Sequence, residues 1–342
     1  MNGFPIEVSS SGAVLLGTEV CCDGFHSACS ARVQTHIHLD HMDDFESSKG
    51  FQQILLSEAT KKLLFADFNA DLPFRNNIHA LRPEVPYTIE HSQVELIPNN
   101  HMLGSVQVAV SLPARMRVGY SGDFQWPLDK VVQVDALVLD STYGGPECIR
   151  EYSQADVERR LTELVVSQLK KGPIHILAHR GTLQRALQIL SGAVDSPMIG
   201  TPRLCKEVAV YREFGYGIGT ILAASDGEAK EALRGSRFIR FYGLGDGSPV
   251  ETAAGTTVTL SAFMSRRDDP VLEYTDRAYR VALSNHADFN GTLEYVQATG
   301  AKFVVTDNTR GGHPLALALA IKARLGVEAS PSSYQYTREW GV

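Results

Sequence analysis

The residues with the clearest chemical potential lie close together near the start of the chain. Residues 36–41 place four metal-binding side chains in six positions: His36, His38, Asp40 and His41. On an extended chain end His36 and His38 would point to the same side, because side chains alternate along a strand. Asp40 and His41, in the turn that follows, would reach a second ion. Imidazole with carboxylate suits zinc, with iron or manganese as alternatives. The competing interpretation is a histidine-rich surface loop or a set of isolated core histidines.

More candidate ligands follow in order along the chain. His101 comes just before an apolar segment, Asp123 closes a Ser-Gly-Asp turn just after one, and His286 stands in Ser-Asn-His-Ala-Asp near the C-terminus. Strand ends that converge on one sheet edge can hold several such groups rigidly. The sequence therefore predicts that these side chains meet in one metal site.

The secondary-structure pattern changes near residue 144. Before it, short apolar segments predict a sheet-rich core, with a hairpin formed by 13–16 and 19–22 around Gly17 and Thr18. After it, strands alternate with helices, which predicts a parallel sheet. Ser153 followed by Asp156 predicts the start of the first of these helices, and residues 314–325 are predicted to form the last helix of the chain. The simplest organisation is an α/β unit, 145–275, inserted into a β-rich host formed by 1–144 and 276–342.

Composition narrows the class of protein. Of 342 residues 44% are apolar, and 32 basic against 39 acidic side chains give a net charge of −7. This charge excludes a general basic coat for nucleic acid, although not a local basic groove. No apolar run approaches the roughly 18 residues of a membrane span, and the first residues lack a signal-peptide pattern. Five cysteines without repeated spacing argue against a disulfide framework, so we expect a cytoplasmic protein with no membrane association.

These motifs together resemble the metallo-β-lactamase superfamily, and within it the β-CASP nuclease branch. Besides the histidine-rich segment, Asp23 resembles an aspartate that braces the metal loop, and 138–144 (Val-Leu-Asp-Ser-Thr-Tyr-Gly) resembles the segment after which the β-CASP domain is inserted. His286 follows Asp123 at a separation of 163 positions, which leaves room for that insert. The resemblance implies an α/β fold, a metallo-β-lactamase αββα sandwich with an inserted α/β β-CASP domain.

The resemblance also implies roles for individual residues. One divalent metal would be held by His36, His38, His101 and Asp123, and a second by Asp40 and His41 with Asp123 as the bridge. The expected cofactor is one or two Zn²⁺ ions, with Mn²⁺ as the alternative. A metal-activated hydroxide would be the nucleophile, oriented by Asp40. His286 would donate a proton to the leaving group, steadied by Asp140.

One departure from the branch concerns the second metal. Many members supply a later histidine, in a His-Gly pair, where this chain has Val-Val-Thr-Asp-Asn at 304–308. Asp307 is the candidate substitute ligand for the second metal. The alternatives are that His313 or His286 moves into this position, or that the second metal binds weakly or not at all. Relatives that repair DNA often lack this histidine, whereas those that process RNA usually keep it.

Two turns are candidates for binding substrate phosphates. His179 and Arg180 lie between a predicted strand and helix, where backbone amides and a guanidinium could receive a phosphate. Arg310 and His313 precede the last predicted helix in a similar way. The alternative for both turns is an ordinary loop with solvated polar groups.

The leading hypothesis is a metal-dependent nuclease that hydrolyses phosphodiester bonds of DNA, or RNA, in a cleft between two domains. The chain is similar to short microbial members described as DNA ligase-associated exonucleases or as RNA 3′-end processing factor-like exonucleases, so we expect an exonuclease of the repair type. Single-stranded nucleic acid is the expected partner, with a helicase, ligase or processing complex as protein partners and a homo-oligomer left open. The alternatives are an RNA 3′-end processing nuclease, an ester or thioester hydrolase of small molecules, and a non-catalytic scaffold subunit.

Overall fold

The protein divides into two compact units. A computed structural model describes residues 3–67, 71–113, 115–245 and 255–332. The first unit combines Met1–Ile149 with His286–Val342, and the second is Arg150–Asn285. Within the described ranges, no helix has both the length and the apolar character needed to cross a membrane.

Strands and helices are numbered here in chain order over the described residues. The strands are β1 Ile6–Val8, β2 Val14–Leu16, β3 Val20–Cys22, β4 Ala31–Val33, β5 Gln53–Ser57, β6 Ile78–Leu81, β7 Tyr87–Ile89, β8 Ser92–Pro98, β9 Val106–Ser111, β10 Arg117–Tyr120, β11 Ala136–Leu139, β12 Ile174–Ala178, β13 Met198–Gly200, β14 Leu222–Ala223, β15 Ile239–Gly243, β16 Thr256–Leu260, β17 Val271–Thr275, β18 Ala278–Val281, β19 Phe303–Thr306 and β20 Glu328–Pro331. The α-helices are α1 Phe45–Phe51, α2 Glu58–Asp67, α3 Gln154–Gln168, α4 Thr182–Ser191, α5 Pro202–Glu213, α6 Gly227–Arg234, α7 Phe289–Thr299 and α8 Pro314–Leu325. Short 3-10 turns lie at Leu39–His41, Leu72–Phe74 and Pro146–Cys148.

Two mixed sheets form the first unit. Sheet 1 has the order β1-β2-β3-β4-β5-β6, and sheet 2 the order β20-β19-β11-β10-β9-β8-β7. In sheet 1 the pairs from β3 to β6 are parallel. In sheet 2 the pairs from β10 to β20 are parallel and those from β7 to β10 antiparallel. The predicted hairpin is confirmed as the antiparallel pair β2–β3.

The main core of the first unit lies between these sheets. Strand β11, with the sequence Ala-Leu-Val-Leu, shows why both faces of sheet 2 are apolar. Val138 belongs to the cluster shared with sheet 1, whereas Leu137 and Leu139 belong to the cluster formed with α7 and α8. Successive side chains point to opposite faces of a strand, so a strand covered on both sides must be apolar throughout. This double burial fixes the strand ends that carry the candidate site.

The second unit contains one largely parallel sheet. Sheet 3 has the order β14-β13-β15-β12-β16-β18-β17, in which only the edge pair β17–β18 is antiparallel. The alternation of strands and helices had predicted a parallel sheet here, and that prediction is confirmed. Ser153 caps α3 with a reciprocal capping box to Asp156, as the sequence indicates.

Two helices have no counterpart among the patterns of the sequence. Helix α1 contains Ser47, Ser48 and Gly50, residues with low helix propensity, so nothing in its composition predicts a helix. Helix α7 begins at Asp288, whose carboxylate accepts a hydrogen bond from the amide of Gly291 at 2.8 Å. In the sequence Asp288 belongs to the Ser-Asn-His-Ala-Asp motif, which conceals its capping role.

The N-cap of α5 provides a test of local stability in the second unit. The Oγ1 of Thr201 accepts a hydrogen bond from the amide of Leu204 at 3.1 Å, and Pro202 occupies the first helical position. Replacing Thr201→Ala leaves that amide without its partner. We expect the free energy of unfolding to fall by about 1 kcal/mol, measured by urea denaturation followed by circular dichroism.

Thr162→Ala is the matched control, because Thr162 lies inside α3 and its hydroxyl bonds only to the carbonyl of Glu158. Alanine has the higher helix propensity, so this change should leave stability the same or raise it by a few tenths of a kcal/mol. Equal losses in both variants would contradict the capping role of Thr201.

Candidate metal centre

The candidate ligands follow strands that end at a common edge. Strands β8, β10, β11 and β19 of sheet 2 run in one direction, and β3 and β4 of sheet 1 run parallel to each other. His101 comes after β8, Asp123 after β10 and Asp140 after β11, while Asp23 and the histidine-rich loop follow β3 and β4. Each side chain is therefore presented by a short loop anchored on a buried strand.

Gly122 makes the turn after β10 possible. Its φ is +54°, and a Cβ at this position would lie 2.8 Å from the carbonyl oxygen of Val106 and 3.1 Å from Nδ2 of Asn99. Only glycine fits such a close approach in a left-handed conformation. The turn then brings the carboxylate of Asp123 to the centre of the histidine group.

Four predicted ligands converge in one group. His36, His38, His101 and Asp123 each contribute one donor atom, and these atoms lie within 4.8 Å of one another. Oδ2 of Asp123 is 3.6 Å from Nε2 of both His36 and His101, and Nε2 of His101 is 3.2 Å from Nδ1 of His38. A tetrahedral zinc with bonds of about 2.0–2.2 Å holds its ligand atoms roughly 3.3–3.5 Å apart. The observed spacing is close to that geometry.

A second set of donors adjoins the first through Asp123. Nε2 of His41 lies 3.2 Å from Oδ1 of Asp123 and 3.9 Å from Oδ2 of Asp40. Asp40 is half-exposed, whereas His41 is fully buried. The structure thus brings together the residues predicted for both halves of the site, with Asp123 between them.

Two ring nitrogens of this cluster have no hydrogen-bond partner among the described residues. They are Nε2 of His36 and Nε2 of His41, both fully buried. A buried polar atom without a partner costs free energy, and both atoms face the carboxylate of Asp123. A divalent cation at this position would satisfy both, so the donor set fits a metal.

Asp23 holds His41 from behind. Its Oδ2 accepts hydrogen bonds from Nδ1 of His41 at 2.8 Å and from Oγ1 of Thr35 at 2.6 Å, and its Oδ1 accepts one from the amide of Thr35 at 2.8 Å. A carboxylate on the far nitrogen of a ligating histidine fixes both its tautomer and its orientation. The predicted bracing position of Asp23 agrees with these contacts.

Two further braces were not predicted from the sequence. Arg32 donates to the carbonyl of His41 at 2.8 Å, and the amide of Gln34 donates to the carbonyls of His36 and His41 at 2.6 and 2.9 Å. Both side chains are fully buried. In the sequence Arg32 and Gln34 alternate with apolar residues at the end of a buried strand. This pattern marks them as unusual, but it does not reveal that they bind the carbonyl groups of His36 and His41.

His286 enters the same cluster from the other side. Its Nδ1 lies 3.3 Å from Oδ2 of Asp140, and its Nε2 lies 3.9 Å from Oδ2 of Asp123. The other oxygen of Asp140 accepts hydrogen bonds from the amide and hydroxyl of Thr142 at 2.9 and 2.7 Å. Tyr143 packs edge-on against the imidazole, with ring centroids 5.6 Å apart. Asp140 therefore directs Nε2 of His286 toward the metal-binding atoms.

The histidines differ in their preference for a proton. Burial and the neighbouring imidazoles hold the pKa of His36 well below its usual value, and burial lowers the pKa of His38 to about 4. Burial also opposes protonation of His41, but the carboxylates led by Asp123 raise its pKa well above the usual value. The site thus stabilises positive charge next to Asp123, while His36 and His38 are kept neutral, the state in which histidine binds metal.

The same balance applies to His286 and the two flanking carboxyl groups. Burial acts to lower the pKa of His286, but its hydrogen bond to Asp140 raises it overall. That bond outweighs burial at Asp140 and lowers the pKa of its carboxyl group. His41 and His38 likewise outweigh burial at Asp40 and lower its pKa to about 2. Both carboxyl groups are therefore ionised beside the imidazoles.

The structure gives Asp307 and Arg310 a different position from the predicted one. Oδ1 of Asp307 accepts hydrogen bonds from the amide and hydroxyl of Thr309 at 2.8 and 2.7 Å, and Oδ2 pairs with Nη1 of Arg310 at 2.5 Å. Asp307 is in none of the candidate metal groups among the described residues. Its carboxylate is occupied by Thr309 and Arg310, so the structure does not place Asp307 as a substitute metal ligand.

Arg310 is a buried brace and not an exposed phosphate contact. Its guanidinium donates to the carbonyls of Gly12 at 2.7 Å, Asp23 at 3.2 Å and Asp40 at 3.2 Å, in addition to the pair with Asp307. Only 7% of its side chain is exposed. With its donors used inside the fold, Arg310 ties the loop after β19 to the loops that carry Asp23 and Asp40.

The guanidinium of Arg180 and the imidazole of His313 each have an acidic partner within their own unit. In the second unit Nε of Arg180 pairs with Oε1 of buried Glu207 at 3.1 Å, so this guanidinium is also occupied within the fold. His179 directly precedes it, at the end of β12. In the first unit His313 is 41% exposed, and its Nδ1 lies 3.2 Å from Oε1 of Glu147. Glu207 and Glu147 are partners that the sequence did not identify.

Comparison with known proteins places the chain in a family. No family model matches it. It is 33% identical over 118 residues to an uncharacterized protein in the lig 3′ region of Acidianus ambivalens, covering 34% of this chain and 84% of that protein. It is 29% identical over 170 residues to the DNA cross-link repair protein SNM1 of Arabidopsis thaliana, covering 46% and 34%. It is 23% identical over 219 residues to an RNase J-like protein of Methanocaldococcus jannaschii, covering 55% and 51%.

The chain therefore spans about a third of the plant relative and about half of the RNase J-like one. Among solved structures, a protein of unknown function from Enterococcus faecalis V583 aligns with a TM-score of 0.54 and 16% identity, covering 81% of this chain and 74% of that one. That likeness concerns the fold alone. With the motifs and relatives combined, the chain belongs to the β-CASP branch of the metallo-β-lactamase superfamily.

The buried ion pair of Arg310 gives a prediction about stability. Arg310→Met would leave the buried carboxylate of Asp307 without its counter-charge and remove three donors to backbone carbonyls. We expect the free energy of unfolding to fall by about 3–5 kcal/mol, measured by urea denaturation of the metal-free chain. Metal affinity, measured by calorimetric titration, should fall as well, because Asp23 and Asp40 lose a shared support.

Lys302→Met is the control in the same unit. Its ammonium is 71% exposed and pairs with Asp135 at 2.9 Å, so its loss should cost about 1 kcal/mol or less. If Arg310→Met were as mild as this control, the bracing role would be wrong.

Proposed function

We propose that the protein is a metal-dependent nuclease that hydrolyses phosphodiester bonds of DNA, as an exonuclease of the repair or ligase-associated type. The observation that carries the proposal is the convergence of His36, His38, His101 and Asp123 on one point, with His286 directed at the same point by Asp140. The names of the relatives, a DNA cross-link repair protein and an RNase J-like protein, support a nucleic-acid substrate.

In this proposal the first unit, Met1–Ile149 with His286–Val342, is the metallo-β-lactamase αββα sandwich, for which the sequence predicts the bounds 1–144 and 276–342. The cluster between sheets 1 and 2 and the packing of α7 and α8 on sheet 2 support this arrangement. The second unit, Arg150–Asn285, is then the inserted β-CASP domain, and its parallel sheet with intervening helices supports that assignment. The sequence predicts the bounds 145–275, but β18 also belongs to this sheet, so the unit extends beyond residue 275.

Metal binding is assigned to the two adjoining donor sets. His36, His38, His101 and Asp123 would hold one ion, and Asp40 and His41 would share Asp123 with a second. Zinc suits these donors best, with manganese as the alternative. A bound divalent ion would supply Lewis-acid polarisation of the phosphate and an activated water.

His286 is the proposed proton donor to the leaving oxygen. When the phosphorus–oxygen bond breaks, the leaving oxygen needs a proton, which Nε2 of His286 can deliver from its position beside Asp123. The hydrogen bond to Asp140 raises the pKa of His286 and so favours the protonated ring. Asp40 borders the same space with a half-exposed carboxylate, a position from which it can accept a hydrogen bond from the attacking water.

The loop after β19 supports DNA over RNA as the substrate. Relatives that process RNA usually supply a metal-binding histidine there, whereas this chain has the Asp307–Arg310 ion pair. The identity to the DNA cross-link repair protein, 29%, also exceeds the 23% to the RNase J-like protein. Both observations favour DNA.

The role of His286 can be tested by substitution. We expect His286→Ala to lower kcat by about 10²- to 10⁴-fold with little change in bound metal, because a general acid contributes that much. The measurements are single-turnover hydrolysis of labelled single-stranded DNA and metal content by mass spectrometry. Asp140→Asn should reduce kcat in the same direction by misorienting the imidazole.

His91→Ala is the control, since His91 is exposed on a turn outside the candidate metal groups of the described residues. It should retain full activity. A fully active His286→Ala variant would exclude the proton-donor role, and loss of metal from that variant would show that His286 acts as a ligand instead.

Substrate and polarity can be determined in one time course. The metal-loaded protein is incubated with DNA and RNA oligonucleotides labelled at either the 5′ or the 3′ end, in zinc or manganese. We expect stepwise shortening of single-stranded DNA, faster than of RNA, and no hydrolysis by Asp123→Ala. An intact panel of nucleic acids, with turnover of small esters or thioesters instead, would overturn the nuclease assignment.

A further inference from the structure

A second group of metal-binding side chains lies outside the centre described above. Glu147, Cys148 and His313 each offer one donor atom, and these atoms lie within 4.8 Å of one another. Oε1 of Glu147 lies 3.2 Å from Nδ1 of His313, close to the roughly 3.3–3.5 Å that separates the ligand atoms of a tetrahedral zinc. None of the three has a role in the proposed nuclease reaction.

The backbone delivers these side chains from two distant segments. Glu147 and Cys148 lie in the 3-10 turn Pro146–Cys148, closed by a hydrogen bond from the amide of Cys148 to the carbonyl of Gly145 at 2.9 Å. His313 immediately precedes α8, and its amide donates to the carbonyl of Ser141 at 2.8 Å. The two segments are thus held together independently of any ion.

Gly312 shows how closely the segments approach. Its φ is +87°, and a Cβ there would lie 2.2 Å from the carbonyl oxygen of Ser141. Any other residue would force the segments apart and move His313 away from Glu147. The contact therefore fixes the position of the imidazole against the 3-10 turn.

The donor types select the metal. A carboxylate, a thiol and an imidazole together match zinc, whereas magnesium and calcium prefer oxygen ligands only. The side chains of Glu147 and His313 are 62% and 41% exposed, and Cys148 is half-buried. An ion can enter from solvent, and with three protein ligands the fourth position would hold water.

We propose that Glu147, Cys148 and His313 form a zinc site separate from the histidine-rich centre. Glu147 and Cys148 follow shortly after Asp140 and Tyr143 in the chain, and both of those residues contact His286. A zinc ion bound here ties the end of that segment to the start of α8, and so stabilises the loop that supports His286.

Cobalt substitution tests the site without relying on nuclease activity. Cobalt(II) bound to a thiolate gives a charge-transfer absorption in the near ultraviolet, and among the described residues the other candidate metal groups contain no cysteine. We expect the full chain titrated with cobalt to show this band and Cys148→Ser to lose it. Zinc content should fall by one equivalent per chain in the same variant.

Matched variants make the result specific. Cys205→Ser removes another partly exposed cysteine, which is outside these groups, and should keep the band. His313→Gln should lose it even though the thiol remains, and Asp123→Ala should retain it while losing cobalt from the histidine-rich centre.

Absence of the band in the wild-type chain at saturating cobalt would overturn the proposal, as would its persistence in Cys148→Ser. Because the band depends on Cys148 and not on turnover, a protein with the band but without nuclease activity would contradict only the proposed function.

Discussion

The carboxylate of Asp123 is the point around which the first unit is organised. Imidazole nitrogens of four histidines lie 3.2 to 3.9 Å from its two oxygens, those of His36, His41, His101 and His286. Two of these nitrogens are buried and find no hydrogen-bond partner in the part of the chain that the structure describes. Such an arrangement is costly in a low-dielectric interior unless a cation occupies it, so the surrounding structure must impose it by packing.

That packing comes from sheet 2, which is apolar on both faces. Sheet 1 covers one face and helices α7 and α8 cover the other, so strands β10 and β11 cannot shift without opening a core cluster. Their loops are further joined by the hydrogen bond from the amide of Asp140 to Oγ of Ser121 at 2.9 Å. The positions of Asp123 and Asp140 are therefore set by the core and not by the loops alone.

How much of this site the sequence predicts depends on how far apart in the sequence the contacting residues are. His36, His38 and His41 are close in sequence and follow a strand, so their proximity is predictable from spacing. His101, Asp123 and His286 were found because each stands beside an apolar segment within a recognisable motif. Arg180 and Arg310 were assigned to phosphate for the same local reason, since each precedes a helix.

Their actual partners could not be predicted locally. Glu207 lies on α5, whereas Arg180 precedes α4. The carbonyl groups bound by Arg310 belong to Gly12, Asp23 and Asp40, far earlier in the chain. Composition cannot distinguish an arginine that is exposed from one that is sealed by such distant contacts. Helices α1 and α7 were not predicted for a related reason. They are stabilised by tertiary packing and not by the intrinsic helix propensity of their residues.

The contacts of Arg310 also determine when the centre can be completed. Its guanidinium closes onto the carbonyls of Asp40, Asp23 and Gly12, across sequence separations of 270, 287 and 298 residues. A chain emerging from the ribosome carries all of the histidine-rich loop long before this residue is made. The contacts from Arg310 to this loop can therefore form only after the 150–285 unit has been synthesised. The support of the histidine-rich loop thus joins segments that lie on either side of the 150–285 unit in the sequence.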